Sequence, residues 1–196
     1  MGIQVILASG SPRRRALLDQ IGIRYRVQTA DVDEGAQAGE TPEALVVRLA
    51  QAKARAVWDR TDRTLPALGA DTLGVVDGTL LVKPDGFDSA RAMLERMAGR
   101  MHEVLTAVAL CSVQGSGVRL SRSRVWFRQL SAAEIAAYWA QGEPRDKAGA
   151  YAIQGLGAVF VERLDGSYSG VMGLPLFETA QLLATAGIFP LPPAQP

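Results

Sequence analysis

Leu68-Gly69-Ala70-Asp71-Thr72-Leu73-Gly74-Val75-Val76-Asp77-Gly78-Thr79-Leu80-Leu81-Val82-Lys83-Pro84 is the stretch that decides the fold. Residues 68–76 are apolar except at Asp71 and Thr72, which reads as a buried strand. Asp77-Gly78 is a two-residue turn signal, and 79–82 reads as the partner strand of a hairpin. That turn places Thr72 opposite Lys83 and sets Asp71 near the lysine. A carboxylate inside an apolar strand is uncommon unless it is paired, hydrogen-bonded or metal-bound. Asp71 is therefore either a satisfied structural residue or a group that holds a divalent cation or positions a water.

Upstream, Gln4 to Ala8 reads as a first buried strand, broken by Ser9-Gly10-Ser11-Pro12. Ser11 suits a helix cap and Pro12 the first helical position. Ala16, Leu17, Leu18 and Ile21 give that helix its apolar stripe, and Gly22 ends it. A short strand over 23–29 and an acidic loop over 31–40 follow. Thr41-Pro42 opens a second helix with Leu45, Val46, Leu49, Ala52 and Ala56 inward.

Downstream, Asp88 reads as the cap of a helix carrying Ala92, Met93 and Met97. Residues 104–113 and 118–127 read as two long strands. Ser131-Ala132-Ala133-Glu134 is a capping box that starts a helix with Ile135, Tyr138 and Trp139 inward. Residues 146–157 read as irregular, 158–164 as a strand, and Pro175 as the start of a last helix over Phe177, Ala180 and Leu183. Strands alternating with helices, plus hairpins, predict an α/β fold with a mixed sheet. Residues 61–66 are the weak candidate for an internal boundary.

The composition sets further bounds. A chain of 196 residues that is 48% hydrophobic and 21% charged is ordinary globular material, which excludes global disorder. Net charge is +1, so there is no broad field for nucleic acid. The lone Cys111 excludes an intrachain disulfide and a cysteine zinc cluster. No apolar run reaches the roughly 18 residues of a membrane helix. The start of the chain lacks a secretory signal, so a cytoplasmic location is expected.

Several residues are candidates for chemistry. Ser9-Gly10-Ser11-Pro12-Arg13-Arg14 delivers a small-residue turn into a helix start, where unpaired N–H groups face outward. Two arginines in a first turn oppose the helix dipole. They are either solvated or partners of a phosphate or carboxylate. Lys53 borders the apolar face of its helix; it either snorkels or aims into a cleft. Asp33 and Glu34 are either solvated or share a cation with Asp71. His102, the single histidine, reads as surface or structural. Gln154 offers a donor and an acceptor, which suits reading a base edge or stapling a loop equally. Gly166-Ser167-Tyr168 and Gly173-Leu174-Pro175 read as scaffold turns. Cations together with a carboxylate-held metal are what a polyphosphate requires.

The chain resembles the Maf family of nucleoside triphosphate pyrophosphatases, once known as septum formation inhibitors. The resemblance runs from about Ile3 to Gly187. Its motifs occur in family order: Leu7-Ala8-Ser9-Gly10-Ser11-Pro12-Arg13-Arg14, Gly69-Ala70-Asp71-Thr72, Lys83-Pro84, Phe127-Arg128 before Ser131-x-x-Glu134, Asp146-Lys147-Ala148-Gly149-Ala150-Tyr151 with Ile153-Gln154-Gly155, and Gly173-Leu174-Pro175-Leu176. The Asp-Lys-Ala-Gly-x-Tyr and Ile-Gln-Gly versions look like the branch that hydrolyses dTTP and UTP. Val82, Leu73-Gly74 and Thr106-Ala107 depart from the usual pattern and leave room for modified pyrimidines.

The resemblance implies an elongated mixed sheet with flanking helices and two lobes around a central cleft, similar to inosine-triphosphate pyrophosphatases. It implies a single domain over 1–189, with 190–196 as a flexible Pro-rich tail. It implies hydrolysis between the alpha and beta phosphates to a monophosphate and pyrophosphate. A divalent cation, Mg2+ or Mn2+, is expected, held at Asp71 and Glu34, and so is a homodimer. Asp71 matches the proton acceptor; base and metal ligand stay rival descriptions of it. Arg14, Lys53 and Lys83 match positions that grip the triphosphate, and Ser9 and Glu34 match positions of the binding site. Arg13, Thr72 and Gln154 match positions tied to substrate choice. Two other classes remain beside the enzyme. One is a regulator of cell division that binds nucleotide with little turnover. The weaker one is a nucleic-acid binder. No stable nucleic-acid or membrane partner is expected.

Overall fold

A computed structural model describes residues 2–191 of the chain. The expected loose tail over 190–196 therefore falls mostly outside the described residues. The elements are β1 (Val5–Leu7), α1 (Pro12–Gln20), β2 (Tyr25–Val27), α2 (Pro42–Asp59), β3 (Ala67–Val76), β4 (Thr79–Leu81) and α3 (Phe87–Met97). They continue with β5 (Met101–Ser112), β6 (Gly115–Phe127), α4 (Ala132–Ala140), three short 3-10 turns between 143 and 160, β7 (Val161–Asp165), α5 (Tyr168–Met172) and α6 (Leu176–Thr185). The fold is α/β, as the alternation predicts. The strands form a seven-stranded sheet in the order β2-β1-β3-β5-β6-β7, with β4 paired to β3. It is mixed: β1 runs parallel to β2 and β3, whereas β3/β4 and β6/β7 are antiparallel.

The chain divides into two compact units. Among the described residues, the first holds 2–72, 106–121 and 173–191; the second holds 73–105 and 122–172. Residues 61–66 lie inside the first unit, not at a boundary.

In the first unit, β1 is wholly buried and lies between β2 and β3. Parallel neighbours need crossovers, which α1 and α2 provide. A strand flanked on either side by successive crossovers leaves a crevice at its carboxyl end, where open α/β sheets bind ligands. The register pairs Leu7 with Leu68. β3 then runs on past the end of β1, which places Asp71 and Thr72 beside the Ser9–Ser11 turn.

In the second unit, a cluster of buried side chains including Leu94, Met97, Phe127, Ile135, Tyr138 and Phe160 forms the core. The capping box is present as read: the Ser131 hydroxyl accepts from Glu134 N, and the Glu134 carboxylate accepts from Ser131 N. Asp77 and Gly78 both take positive φ, which identifies the expected hairpin turn.

Several side chains differ from the expected faces. On α2 the fully buried alanines are Ala50 and Ala54; Ala52 and Ala56 are half-buried. On α1 only Leu17 and Leu18 are buried, and Ser11 occupies the cap without a side-chain capping bond. Gly86, not Asp88, is the N-cap of α3, whose buried residues are Ala90, Leu94 and Met97. On α6, Phe177 is exposed and Thr179, Leu182 and Leu183 are inward.

Candidate active site

The period-2 alternation of β3 puts Gly69 and Asp71 on one face and Thr72 on the other. The first face meets α2. A Cβ on Gly69 would lie 2.4 Å from the Ala50 carbonyl oxygen and 2.5 Å from the Ala54 nitrogen. Only a residue without a side chain lets the helix come that close. Ala50, Lys53 and Ala54 follow helical i, i+3, i+4 spacing, so the approach that Gly69 permits carries Lys53 to Asp71 two residues along. Lys53 Nζ donates to Asp71 Oδ1 at 2.7 Å. Lys53 is 9% exposed and Asp71 7%.

The same ammonium lies 2.6 Å from Glu34 Oε1. Glu34 comes from the acidic loop, and its side chain remains 62% exposed. Two carboxylates from distant parts of the sequence thus converge on one cation. Asp33 does not join them: its Oδ1 accepts from Gly35 N within the loop.

On the other face, Thr72 Oγ1 accepts from Thr106 Oγ1 of β5 and from Arg14 Nη2. Arg14 projects from the first turn of α1. Its Nη1 donates to Ser9 Oγ at 3.1 Å and its Nε to the Gly173 carbonyl at 2.7 Å. Ser9 Oγ also accepts from Ser11 N, which tightens the turn. Burial pushes the Arg14 guanidinium below its ordinary pKa, while the nearby Asp71 charge opposes that shift and Arg13 adds to it. Arg13, beside it on α1, is half-buried.

The structure therefore brings together Ser9, Arg14, Glu34, Lys53, Asp71 and Thr72 within the first unit. The ion-pair partner of Asp71 is Lys53, whereas the hairpin spacing pointed to Lys83. The hairpin register does run as read, from Val76↔Thr79 to Gly74↔Leu81. β4 ends at Leu81, and Lys83 is an exposed residue of the second unit. Gln154 also lies in the second unit. Its loop is stapled by other groups: Glu143 accepts from Leu156 N and Gly157 N at 3.0 Å, and from the Tyr138 hydroxyl at 2.6 Å. Tyr138 Oη in turn accepts from Ala152 N. Gln154 itself is exposed.

Two members of the site were not read from the sequence. Gly173, read as a scaffold turn, supplies a carbonyl to Arg14, and its φ of +118° suits glycine. Thr106 orients Thr72 from a neighbouring strand. Neither carries a local signal, because each acts through a partner more than 30 residues away. His102 is buried, with Nε2 2.8 Å from the Tyr151 hydroxyl, and is structural.

A buried lysine, a buried carboxylate and a half-buried arginine fork beside a helix start suit a substrate with several phosphoryl oxygens. Residues 4–186 match the Maf family, described as Maf-like protein. The chain is 54% identical to the dTTP/UTP pyrophosphatase of Alkalilimnicola ehrlichii, over 91% of both chains. It is 51% identical to the protein of that name from Hahella chejuensis, over 94% of this chain and 93% of the relative. It is 52% identical to that of Methylobacillus flagellatus, over 94% of both. A crystal structure of a nucleoside-triphosphatase (dITP/XTP pyrophosphatase) from Mycobacterium abscessus aligns with a TM-score of 0.43 and 18% identity, over 66% of this chain and 77% of that one.

Proposed function

Because the chain belongs to the Maf family of nucleoside triphosphate pyrophosphatases, we propose that it hydrolyses dTTP and UTP to the monophosphate and pyrophosphate. The observation that carries this reading is the buried Lys53–Asp71 pair on the same strand end as the Arg14–Thr72 bond. Asp71 accepts the proton of the attacking water through the oxygen not engaged by Lys53. The water oxygen bonds to phosphorus as the bridging oxygen leaves with pyrophosphate. Lys53 and Arg14 offset charge on the phosphoryl oxygens, which is where phosphoryl transfer gains most from fixed cations. Ser9 binds at the turn, and Arg13 and Thr72 contribute to the choice of nucleotide.

A divalent cation, Mg2+ or Mn2+, belongs to the same reading. Asp71 and Glu34 already share one cation, the Lys53 ammonium. Magnesium is commonly held by one or two carboxylates, with water and substrate phosphates filling its octahedron. No group of three or more His, Cys, Asp or Glu suited to a metal occurs among the described residues; Glu34 and Asp71, the latter in the role that rivals its use as base, are the carboxylates proposed to hold the ion. The cation would add positive charge at the phosphates. A homodimer and a cytoplasmic location belong to the same reading. Among the described residues no helix is long and apolar enough to cross a membrane.

The test is a panel of nucleoside triphosphates with Mg2+ or Mn2+, with products separated by chromatography. Equal amounts of monophosphate and pyrophosphate, fastest from dTTP and UTP, are expected. Release of neither product from any triphosphate by folded protein would sink the enzyme reading in favour of a nucleotide-binding regulator. A purine preference would sink the branch assignment.

A further inference from the structure

We propose that Arg48 is a positioning residue: it latches the irregular loop over 31–40 so that Glu34 meets Lys53 and Asp71. This rests on the proposed role of Glu34 at the triphosphate and metal site. An exposed glutamate on a loop without regular structure has no local reason to hold one position, and holding a long side chain in place costs entropy. Yet Glu34 reaches the Lys53 ammonium at 2.6 Å.

The loop is held from α2. Arg48 Nε donates to Glu40 Oε1 at 2.7 Å and Nη2 to Glu40 Oε2 at 2.8 Å, a two-point fork. The same Nη2 donates to the Gly35 carbonyl at 2.8 Å. One guanidinium thus ties the residue next to Glu34 to the residue that closes the loop. Glu40 Oε2 also accepts from Gln37 N at 3.0 Å, which fixes the middle. Arg48 and Lys53 stand five residues apart on one rigid helix, a rise of about 7.5 Å. The helix that presents the ammonium to Glu34 therefore also fixes the loop that presents Glu34 to the ammonium.

The hydrogen bonds from Arg48 draw the Glu40 carboxyl down to about 2. The latch is therefore fully ionised at neutral pH. Lysine cannot replace this arginine. A single ammonium lacks the planar fork that serves a carboxylate and a carbonyl together.

The test is a double-mutant cycle on the full chain with dTTP and Mg2+, using Arg48→Met and Glu34→Gln, plus amide exchange across 31–40. Arg48→Met is expected to lower kcat/KM about 10-fold or more, as a misplaced site group does. It should raise the Mg2+ concentration needed for half-maximal rate and speed exchange in 31–40. Arg48→Lys should behave like Arg48→Met. In the Glu34→Gln background, Arg48→Met should add less than about twofold, because residues acting through one another are not additive.

A full, undiminished loss in that background would overturn the proposal, since Arg48 would then act independently of Glu34. So would unchanged exchange in 31–40, or a Glu34→Gln variant as active as wild type. If Arg48→Met does not fold, Glu40→Gln breaks the same fork and carries the same expectations. If the wild type itself turns over no triphosphate, the proposed function fails, and the latch is judged on exchange in 31–40 and on Mn2+ titration of wild type and Arg48→Met. Equal exchange or equal Mn2+ affinity would overturn it.

Discussion

Lys53 has two carboxylate partners and Asp71 has its ammonium, so removing either side has different consequences. Asp71→Asn keeps the shape of the side chain and leaves Lys53 paired with Glu34. It is expected to fold with near-normal stability and to lose turnover. Lys53→Met instead strands a buried carboxylate without its cation, which typically costs about 3–5 kcal/mol. Urea denaturation of both variants checks this, and equal stabilities would contradict it. The sequence exposed Asp71 because a charge in an apolar strand is conspicuous on its own. Its true partner was hidden. Lys83 was within reach of a local hairpin argument, whereas Lys53 meets Asp71 only through the packing of a helix on a strand 18 residues away.

Local signals fared best for single elements. The Ser131-x-x-Glu134 box was legible because every atom it needs lies within one turn of α4. The buried face of α2 was less so, since alanines at 50, 52, 54 and 56 look alike until β3 selects 50 and 54. The agent of that selection is Gly69. Gly69→Ala would press a methyl group into the α2 backbone at 2.4 Å, and overpacking of this kind costs about 1–3 kcal/mol. Because α2 carries Lys53, the variant should also lose activity beyond its loss of stability. Retained wild-type kcat/KM at a temperature where Gly69→Ala is fully folded would contradict the link between close packing and the ion pair.

At the scale of the molecule, β3, β5 and β6 each begin in one unit and end in the other. The alternation of strands and helices revealed the α/β class. It gave no sign of where the units divide, because the division falls inside strands and not in linkers. The stability of the whole chain should depend on pH through His102, which is buried against Phe127 and Tyr151 with its Nδ1 unpartnered. Burial lowers its pKa from 6.5 to about 4. The unfolded chain therefore takes up a proton below pH 6.5 that the folded chain refuses until about pH 4. His102 leaves stability intact above pH 6.5 and lowers it progressively, by roughly 3 kcal/mol in all, as pH falls across that window. Thermal unfolding of His102→Leu should show a flat profile down to about pH 4.5, where the depressed carboxyls of Glu40 and Glu134 begin to act. A wild-type slope retained in that variant would assign the acid sensitivity elsewhere.

The most direct measurement of the central claim is the rate at which wild type and Asp71→Asn convert dTTP to dTMP and pyrophosphate with Mg2+, with near-UV circular dichroism confirming that both are folded. The account expects dTMP and pyrophosphate in equal amounts from the wild type, and a loss of about 10²–10⁴-fold in the variant, the usual contribution of a general base. A folded Asp71→Asn within twofold of wild type, or release of dTDP and orthophosphate, would contradict it.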